Sequence, residues 1–183
     1  MRAFLPVALF VASGCASGGG SAPGPSGPMT QSIGIAGGDR LTISPGPGPT
    51  THAINAGVDH VWRVLPAVFD SIGVPVTRVD PVQRVIGNDG FKTRLRLRNV
   101  PLSRYIDCGQ TQIGQNADSY EVIITLLVQV RPGANAATSS SLVTTFETVA
   151  RPLTFSQAYS RCTTKATLEP RLLAAVNGQL QRP

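Results

Sequence analysis

The sequence predicts a single α+β domain, a two-layer sandwich in which two helices cover one face of a mainly antiparallel sheet of four to six strands. Three observations support this class. Apolar residues follow a helical period over 58–72 and again over 168–180. Between these segments, alternating apolar residues form stretches separated by turn-forming residues. Strands joined by tight turns are antiparallel neighbours, and the apolar stripes of the helices must be buried against them.

The N-terminus has the features of a secretory signal. Arg2 is followed by an uncharged apolar run over 3–13, and small residues then lead to Cys15. This run is too short to span a bilayer as a stable helix. The residues Ala-Ser-Gly-Cys at 12–15 resemble the lipobox of bacterial lipoproteins, although the family usually has Leu where Ala12 stands.

This resemblance implies that residues 1–14 are a signal peptide and that Cys15 is diacylated and becomes the new N-terminus. In such lipoproteins an Asp after the cysteine marks retention at the inner membrane. Ala16 stands there instead, which implies the outer membrane if the cell has two. The alternative is an ordinary secretory signal cut nearby, with Cys15 incidental.

A tether and one domain follow the signal. Residues 15–38 are rich in Gly, Ser and Pro and almost free of large apolar side chains. Such a segment cannot bury enough surface to offset the entropy lost on ordering. Residues 39–183 are then one domain, and no later apolar run reaches the length of a membrane span.

A short strand over 39–44 and an extended segment over 50–53 precede the first helix. Asn55 is the expected N-cap of that helix, and Gly73 is its expected stop. The buried stripe has helical spacing: Val58, Val61, Trp62, Leu65, Phe69 and Ile72.

A period of two begins after this helix. It predicts strands over 74–79 and 82–86 with a turn at 80–81. Asn88-Asp89-Gly90 is typical of a tight turn, because these residues tolerate positive φ. Residues 91–98 should then run extended.

The strongest predicted strand covers 120–130. Both of its faces carry apolar residues, which indicates a central position in the sheet. Its even-numbered residues are expected to point inward: Tyr120, Val122, Ile124, Leu126, Val128 and Val130.

A further strand is predicted over 142–149, and a C-terminal helix follows. Leu168, Leu172, Val176 and Leu180 repeat every four residues in that helix, and Thr167 is its expected cap.

Two cysteines remain if Cys15 carries lipid. Cys108 and Cys162 are an even pair in an exported protein, so a disulfide is expected. It should tie the middle of the sheet to the start of the last helix. Two buried free thiols are the alternative. A zinc site is disfavoured, because two cysteines and two distant histidines lack the usual ligand spacing.

The chain contains no recognisable catalytic or phosphate-binding motif, and no cofactor or metal is expected. Of the two histidines, His52 and His60, only His60 has an acid as its neighbour, and adjacent residues of a helix such as Asp59 and His60 do not face each other. The sequence therefore predicts a protein that is not an enzyme. A site assembled from distant residues stays open, since catalytic groups meet in space and not in sequence.

One charge pattern indicates a binding face. In a strand, every second side chain points to the same side, at intervals of about 6.6–7 Å. Four cations alternate in this way with uncharged residues: Lys92, Arg94, Arg96 and Arg98. Such a face attracts anionic lipid or acidic envelope polymers. Nucleic acid is excluded by the compartment and by the lack of stacking aromatics. The alternative is a solvated face answered by acids on neighbouring strands.

The helix containing Val61-Trp62, the following Ile72-Gly73-Val74-Pro75 and the strands after it resemble small periplasmic lipoprotein domains of unassigned function. Residues 55–90 are also similar to the C component of the outer-membrane β-barrel assembly machinery. The resemblance implies a non-enzymatic, lipid-anchored protein on the periplasmic side of a membrane, with a binding or structural role toward another envelope component. The alternatives are a periplasmic domain that binds a small ligand and a secreted hydrolase with a non-local site.

Overall fold

The computed structural model describes the backbone of residues 31–34 and 40–43, and residues 48–154 and 156–182 in full. The predicted signal peptide, Cys15 and most of the predicted tether lie outside these residues. The end of the tether is an exception, because Gln31–Gly34 forms a strand that pairs with Arg40–Ile43 in an antiparallel hairpin.

The described residues form two α-helices, α1 (Val58–Ile72) and α2 (Leu168–Leu180), and two single 3-10 turns, Leu102–Arg104 and Asn116–Asp118. In chain order the strands are β1 (Gln31–Gly34), β2 (Arg40–Ile43), β3 (Thr50–Ile54), β4 (Arg78–Asp80), β5 (Val85–Thr93), β6 (Arg96–Leu97), β7 (Val100–Pro101), β8 (Ile106–Asp107), β9 (Gln110–Thr111), β10 (Gly114–Gln115), β11 (Glu121–Pro132), β12 (Ser140–Arg151), β13 (Ser160–Arg161) and β14 (Thr163–Thr164).

Six strands build the main sheet, and every pair in it is antiparallel. Its order is β4, β5, β11, β12, and the outer edge of β12 pairs with both β3 and β13. β11 is therefore a central strand, as predicted. The α+β class, the antiparallel sheet and the two helices are confirmed.

The core lies between this sheet and the helices. On β11 the even-numbered residues from Val122 to Val130 are buried, whereas Tyr120 precedes the strand and is partly buried. Within the described residues, no helix combines the length and apolar composition needed to cross a membrane.

Helix α1 differs from its prediction in two details. Trp62 is only partly buried, at the edge of the core, and the buried stripe also contains Val68, which was not among its predicted members. The N-cap is Gly57 and not Asn55. The first turn is held by the β11–β12 loop, because the Val58 N–H donates to the Ala136 carbonyl at 3.0 Å. Gly73 ends the helix with a φ of 79°, as predicted.

Helix α2 begins where it was predicted, with Thr167 at the N-cap position, but the Thr167 side chain makes no capping hydrogen bond. The Thr167 hydroxyl instead donates to the Arg104 carbonyl at 2.6 Å, so it joins the helix start to a distant segment. The partner of this hydroxyl is therefore a residue distant in the sequence and not the backbone of the helix itself.

The tight turn expected at Asn88-Asp89-Gly90 is wrong, because these residues lie inside β5. Asn88 is buried, its amide donates to the Pro75 carbonyl, and its side-chain oxygen accepts from the Gly90 N–H. These hydrogen bonds stabilise a β-bulge opposite residues 124–126, and the chain does not reverse its direction here. The reversal lies between β4 and β5, where the Asp80 carboxylate accepts from the backbone of Val82 and Gln83.

Cys108 and Cys162 form the predicted disulfide, with their Cα atoms 4.4 Å apart. Its expected position was wrong, since Cys108 does not belong to the main sheet. The bond lies beside a separate two-stranded sheet in which β8 pairs with β14. It closes the long connection between β5 and β11 against the segment before α2.

Loss of this disulfide should lower stability substantially. Closing a loop across 54 residues is worth about 4 kcal/mol in the chain-entropy model. We expect reductant to lower the Tm of the protein by about 10 °C, measured by circular dichroism. The double variant Cys108→Ala/Cys162→Ala, whose Tm should not respond to reductant, is the control. Quantitative thiol labelling of the unreduced, folded protein would contradict the bond.

Two glycines should respond in opposite directions to alanine. A Cβ at Gly87 would lie 2.0 Å from the Leu126 carbonyl oxygen, whereas one at Gly178 in α2 meets nothing within 4 Å. We expect Gly87→Ala to destabilise the fold by about 2–3 kcal/mol and Gly178→Ala to stabilise it by about 0.5–1 kcal/mol, as measured by denaturant unfolding. A Gly87→Ala variant as stable as the parent would contradict the close approach of β5 to β11.

Candidate functional site

The four cations at 92–98 do not share one strand face. β5 ends at Thr93, and the backbone then turns, with positive φ at Leu95 (63°) and Arg98 (51°). Residues 96–97 form β6, which pairs with β7 in a small hairpin of its own. The prediction of an evenly spaced cationic strand over Lys92–Arg98 is therefore wrong.

Three of these four cations form salt bridges with carboxylates. Lys92 and Arg94 lie 3.6 and 3.8 Å from Glu121, and Arg98 lies 3.6 Å from Asp70. Arg98 also donates to the Asp70 carbonyl, at the end of α1. Lys92 is opposite Ile123, on the sheet face that turns away from the helices. The solvated-face interpretation, with charges spread over different surfaces, describes this segment.

Glu121 is the centre of the charged cluster that results. Its side chain is 12% exposed and accepts a hydrogen bond at 3.1 Å from Nε of Arg151, the residue opposite it on β12. The Tyr159 hydroxyl donates to the same carboxylate, and the Arg151 guanidinium lies 4.7 Å from the centre of the Tyr159 ring. Arg94, Glu121 and Arg151 line a shallow cleft of about 460 Å³ together with Pro152, Leu153, Thr154 and Ser156.

The pKa shifts in this cluster favour a structural role over acid–base catalysis. The hydrogen bond from Tyr159, with Arg151 and Lys92, lowers the pKa of Glu121 despite its partial burial. The same hydrogen bond raises the pKa of Tyr159. Near neutral pH the carboxylate is therefore ionised and the phenol protonated, and neither is poised to exchange a proton.

The histidines lie apart from these groups. His52 is half-buried in β3, and His60 is exposed on α1, where it lines an open depression of about 640 Å³ with Asn55, Asn177 and Gln181. No carboxylate lines this depression among the described residues. Nor do those residues contain three or more His, Cys, Asp or Glu grouped to hold a metal ion. The hydrolase alternative gains no support here and stays a prediction.

A second cationic cluster, which the sequence did not indicate, lies at the start of α2. Arg104, Lys165 and Arg171 line a depression of about 550 Å³ together with Val100, Ser103, Tyr105 and Thr167. We call this depression the basic pocket. Its cations come from two segments about 60 residues apart in the sequence, so no local spacing could reveal it.

Glu121→Gln should give a stability difference that depends on pH. Because folding lowers the pKa of Glu121 from its usual 4.5, the ionised group stabilises the fold above that value, and this contribution is lost as pH falls through the folded-state pKa. We expect the variant to have a Tm a few degrees lower near pH 7 and a gap that closes in acid. Glu147→Gln, which removes an exposed carboxylate with one partner at 3.9 Å, should lower the Tm less. A pH-independent gap would contradict the ionised cluster.

Comparison of the chain with protein-family models, with curated proteins and with solved structures finds no match. The resemblance of its N-terminus to bacterial lipoproteins therefore stays a prediction from the residues themselves. What the protein binds has to be argued from its own side chains.

Proposed function

We propose that the protein is a non-enzymatic, lipid-anchored domain of the bacterial cell envelope that binds another envelope component. The observation that carries this proposal is the disulfide between Cys108 and Cys162. Disulfides form in compartments outside the reducing cytosol, and the bacterial periplasm is one of them. The disulfide therefore supports export, which the apolar run before Cys15, in a different part of the chain, also predicts.

The charged groups support binding more than catalysis. Glu121 and Tyr159 are held in the protonation states that do not transfer protons near neutral pH. Beside the basic pocket, the Asp118 carboxylate accepts from both the hydroxyl and the backbone N–H of Ser103, so this pair orders the turn that carries the serine. Fixed charges at a concave surface favour recognition of a charged ligand.

A binder of small soluble ligands is the second candidate. It is favoured by the size of the basic pocket, about 550 Å³, which lies in the range of small-molecule sites. This candidate differs from the first in whether the ligand belongs to a membrane or diffuses freely. It is compatible with the same anchor.

The anchor can be tested directly. We expect intact-mass analysis of the membrane fraction to show a protein that begins at Cys15 and carries two or more acyl chains. Two chains give stable membrane attachment, whereas one gives weak and reversible binding. Cys15→Ser should abolish the acylated species, and Cys162→Ser is the matched control that should leave it in place. A mature N-terminus beyond Cys15 would refute the anchor.

A further inference from the structure

We propose that the basic pocket binds a phosphate group, carried by an anionic lipid headgroup or by a free phosphorylated compound. The inference rests on the proposed function in that the domain binds an envelope component, and it adds the chemical class of that component. The site is made of Arg104, Lys165 and Arg171.

The first argument is the charge balance. Elsewhere in the described residues, most of the cations form a salt bridge with a carboxylate within 4 Å, including Arg78, Arg84 and Arg151. None of the three pocket cations has a salt bridge to a described carboxylate, and no acid lines the depression. Three uncompensated charges around one concave surface repel each other, and a multiply charged anion relieves that repulsion.

One acid contacts a residue of the pocket wall. The Asp118 carboxylate accepts from the Ser103 N–H at 2.9 Å and from the Ser103 hydroxyl at 2.5 Å. These bonds fix the turn that carries Arg104, and Asp118 forms no salt bridge with any of the three pocket cations.

The second argument is that neutral partners hold two of the cations in place. Lys165 Nζ donates to the Ser103 carbonyl at 2.8 Å, and Arg171 donates to the Tyr105 hydroxyl. Arg171 is half-buried, and its guanidinium lies 5.7 Å from the centre of the Tyr105 ring. Each cation keeps its full charge and further N–H donors for a ligand. A site ordered before binding loses less entropy when the ligand arrives.

The third argument is how the two walls are joined. β8 pairs with β14, the Lys165 N–H donates to the Tyr105 carbonyl at 2.8 Å, and the Cys108–Cys162 disulfide closes the far end. Within the second wall, between Lys165 and Thr167, Ala166 has a φ of 52°, a left-handed conformation that is unfavourable for alanine. Strained backbone of this kind concentrates at functional sites, where the surrounding structure enforces it.

The chemistry of the lining favours phosphate over a single carboxylate. Two guanidinium groups and an ammonium match an anion with several oxygen acceptors and more than one negative charge. Val100 and the Tyr105 ring add apolar surface beside the cations. That surface suits the sugar or glycerol that carries the phosphate.

The test uses calorimetric titration of the full chain, purified in an uncharged detergent, with inorganic phosphate as the probe. We expect saturable binding that weakens with added KCl. The double variant Arg104→Gln/Lys165→Gln should bind about tenfold more weakly or worse, a loss of about 1.4 kcal/mol or more, because it removes two of the three cations that face the anion. Arg63→Gln/Arg131→Gln removes two exposed cations that have no salt bridge to a described carboxylate. This matched control should bind like the parent.

Two further titrations separate the sources of the phosphate. Glycerol 3-phosphate represents a soluble ligand, and micelles carrying phosphatidic acid represent a lipid headgroup, with diacylglycerol micelles as the blank. Tighter binding of either than of inorganic phosphate supports the site and assigns its source. Circular dichroism and thiol labelling show whether the pocket variant is folded, and Arg104→Gln alone repeats the measurement if it is not.

The inference is overturned if titration of the parent with inorganic phosphate up to about 10 mM gives no saturable heat. A Kd weaker than about 10 mM corresponds to a binding free energy of less than about 3 kcal/mol. The inference is equally overturned if the matched control loses as much affinity as the pocket variant. These results leave the anchor untouched when Cys15 is found acylated. Conversely, a protein without acyl chains that still binds phosphate refutes the anchor and leaves the pocket in place.

Discussion

β11 and β12 pair without interruption from Glu121 opposite Arg151 to Pro132 opposite Ser140, and this hairpin positions most of the molecule. Its even-numbered residues form the floor of the core on which the helices pack. At one end, its loop binds the start of α1, since the Val58 N–H donates to Ala136 and the Ser140 hydroxyl donates to Ala56. At the other end, Glu121 and Arg151 gather the charged cluster.

The long connection between β5 and β11 contributes no strand to this sheet and is held in place by other contacts. It contains β6 to β10 and two 3-10 turns, and it buries Leu97, Leu102, Tyr105, Ile106 and Ala117 in the core. The disulfide and the β8–β14 ladder attach it to the segment before α2. The basic pocket lies on this attachment, so the restraint that orders the connection also brings its cations together.

The two cationic clusters differ in what compensates them. Glu121 lies among Lys92, Arg94 and Arg151 and remains ionised, because the hydrogen bond from Tyr159 and the groups of Arg151 and Lys92 lower its pKa. In the basic pocket, Lys165 and Arg171 donate to a carbonyl and a hydroxyl oxygen, which orient a cation without cancelling its charge. This contrast is why the second cluster, and not the predicted basic strand, supports binding of an anion in the proposed envelope role.

Local pattern in the sequence was enough for the fold class, both helices, the central strand and the cysteine pair, because each depends on periodicity or on composition within a short window. The period of two could not show that Leu95 and Arg98 take positive φ, or that Asn88 serves a bulge, since long-range contacts with Pro75 and β11 decide these conformations. For the same reason the sequence could place Thr167 at the N-cap of α2, but could not show that its hydroxyl donates to the Arg104 carbonyl instead of accepting from the helix backbone. The basic pocket was decided by tertiary structure alone, because its two walls meet through a disulfide and a ladder that join residues far apart in the chain.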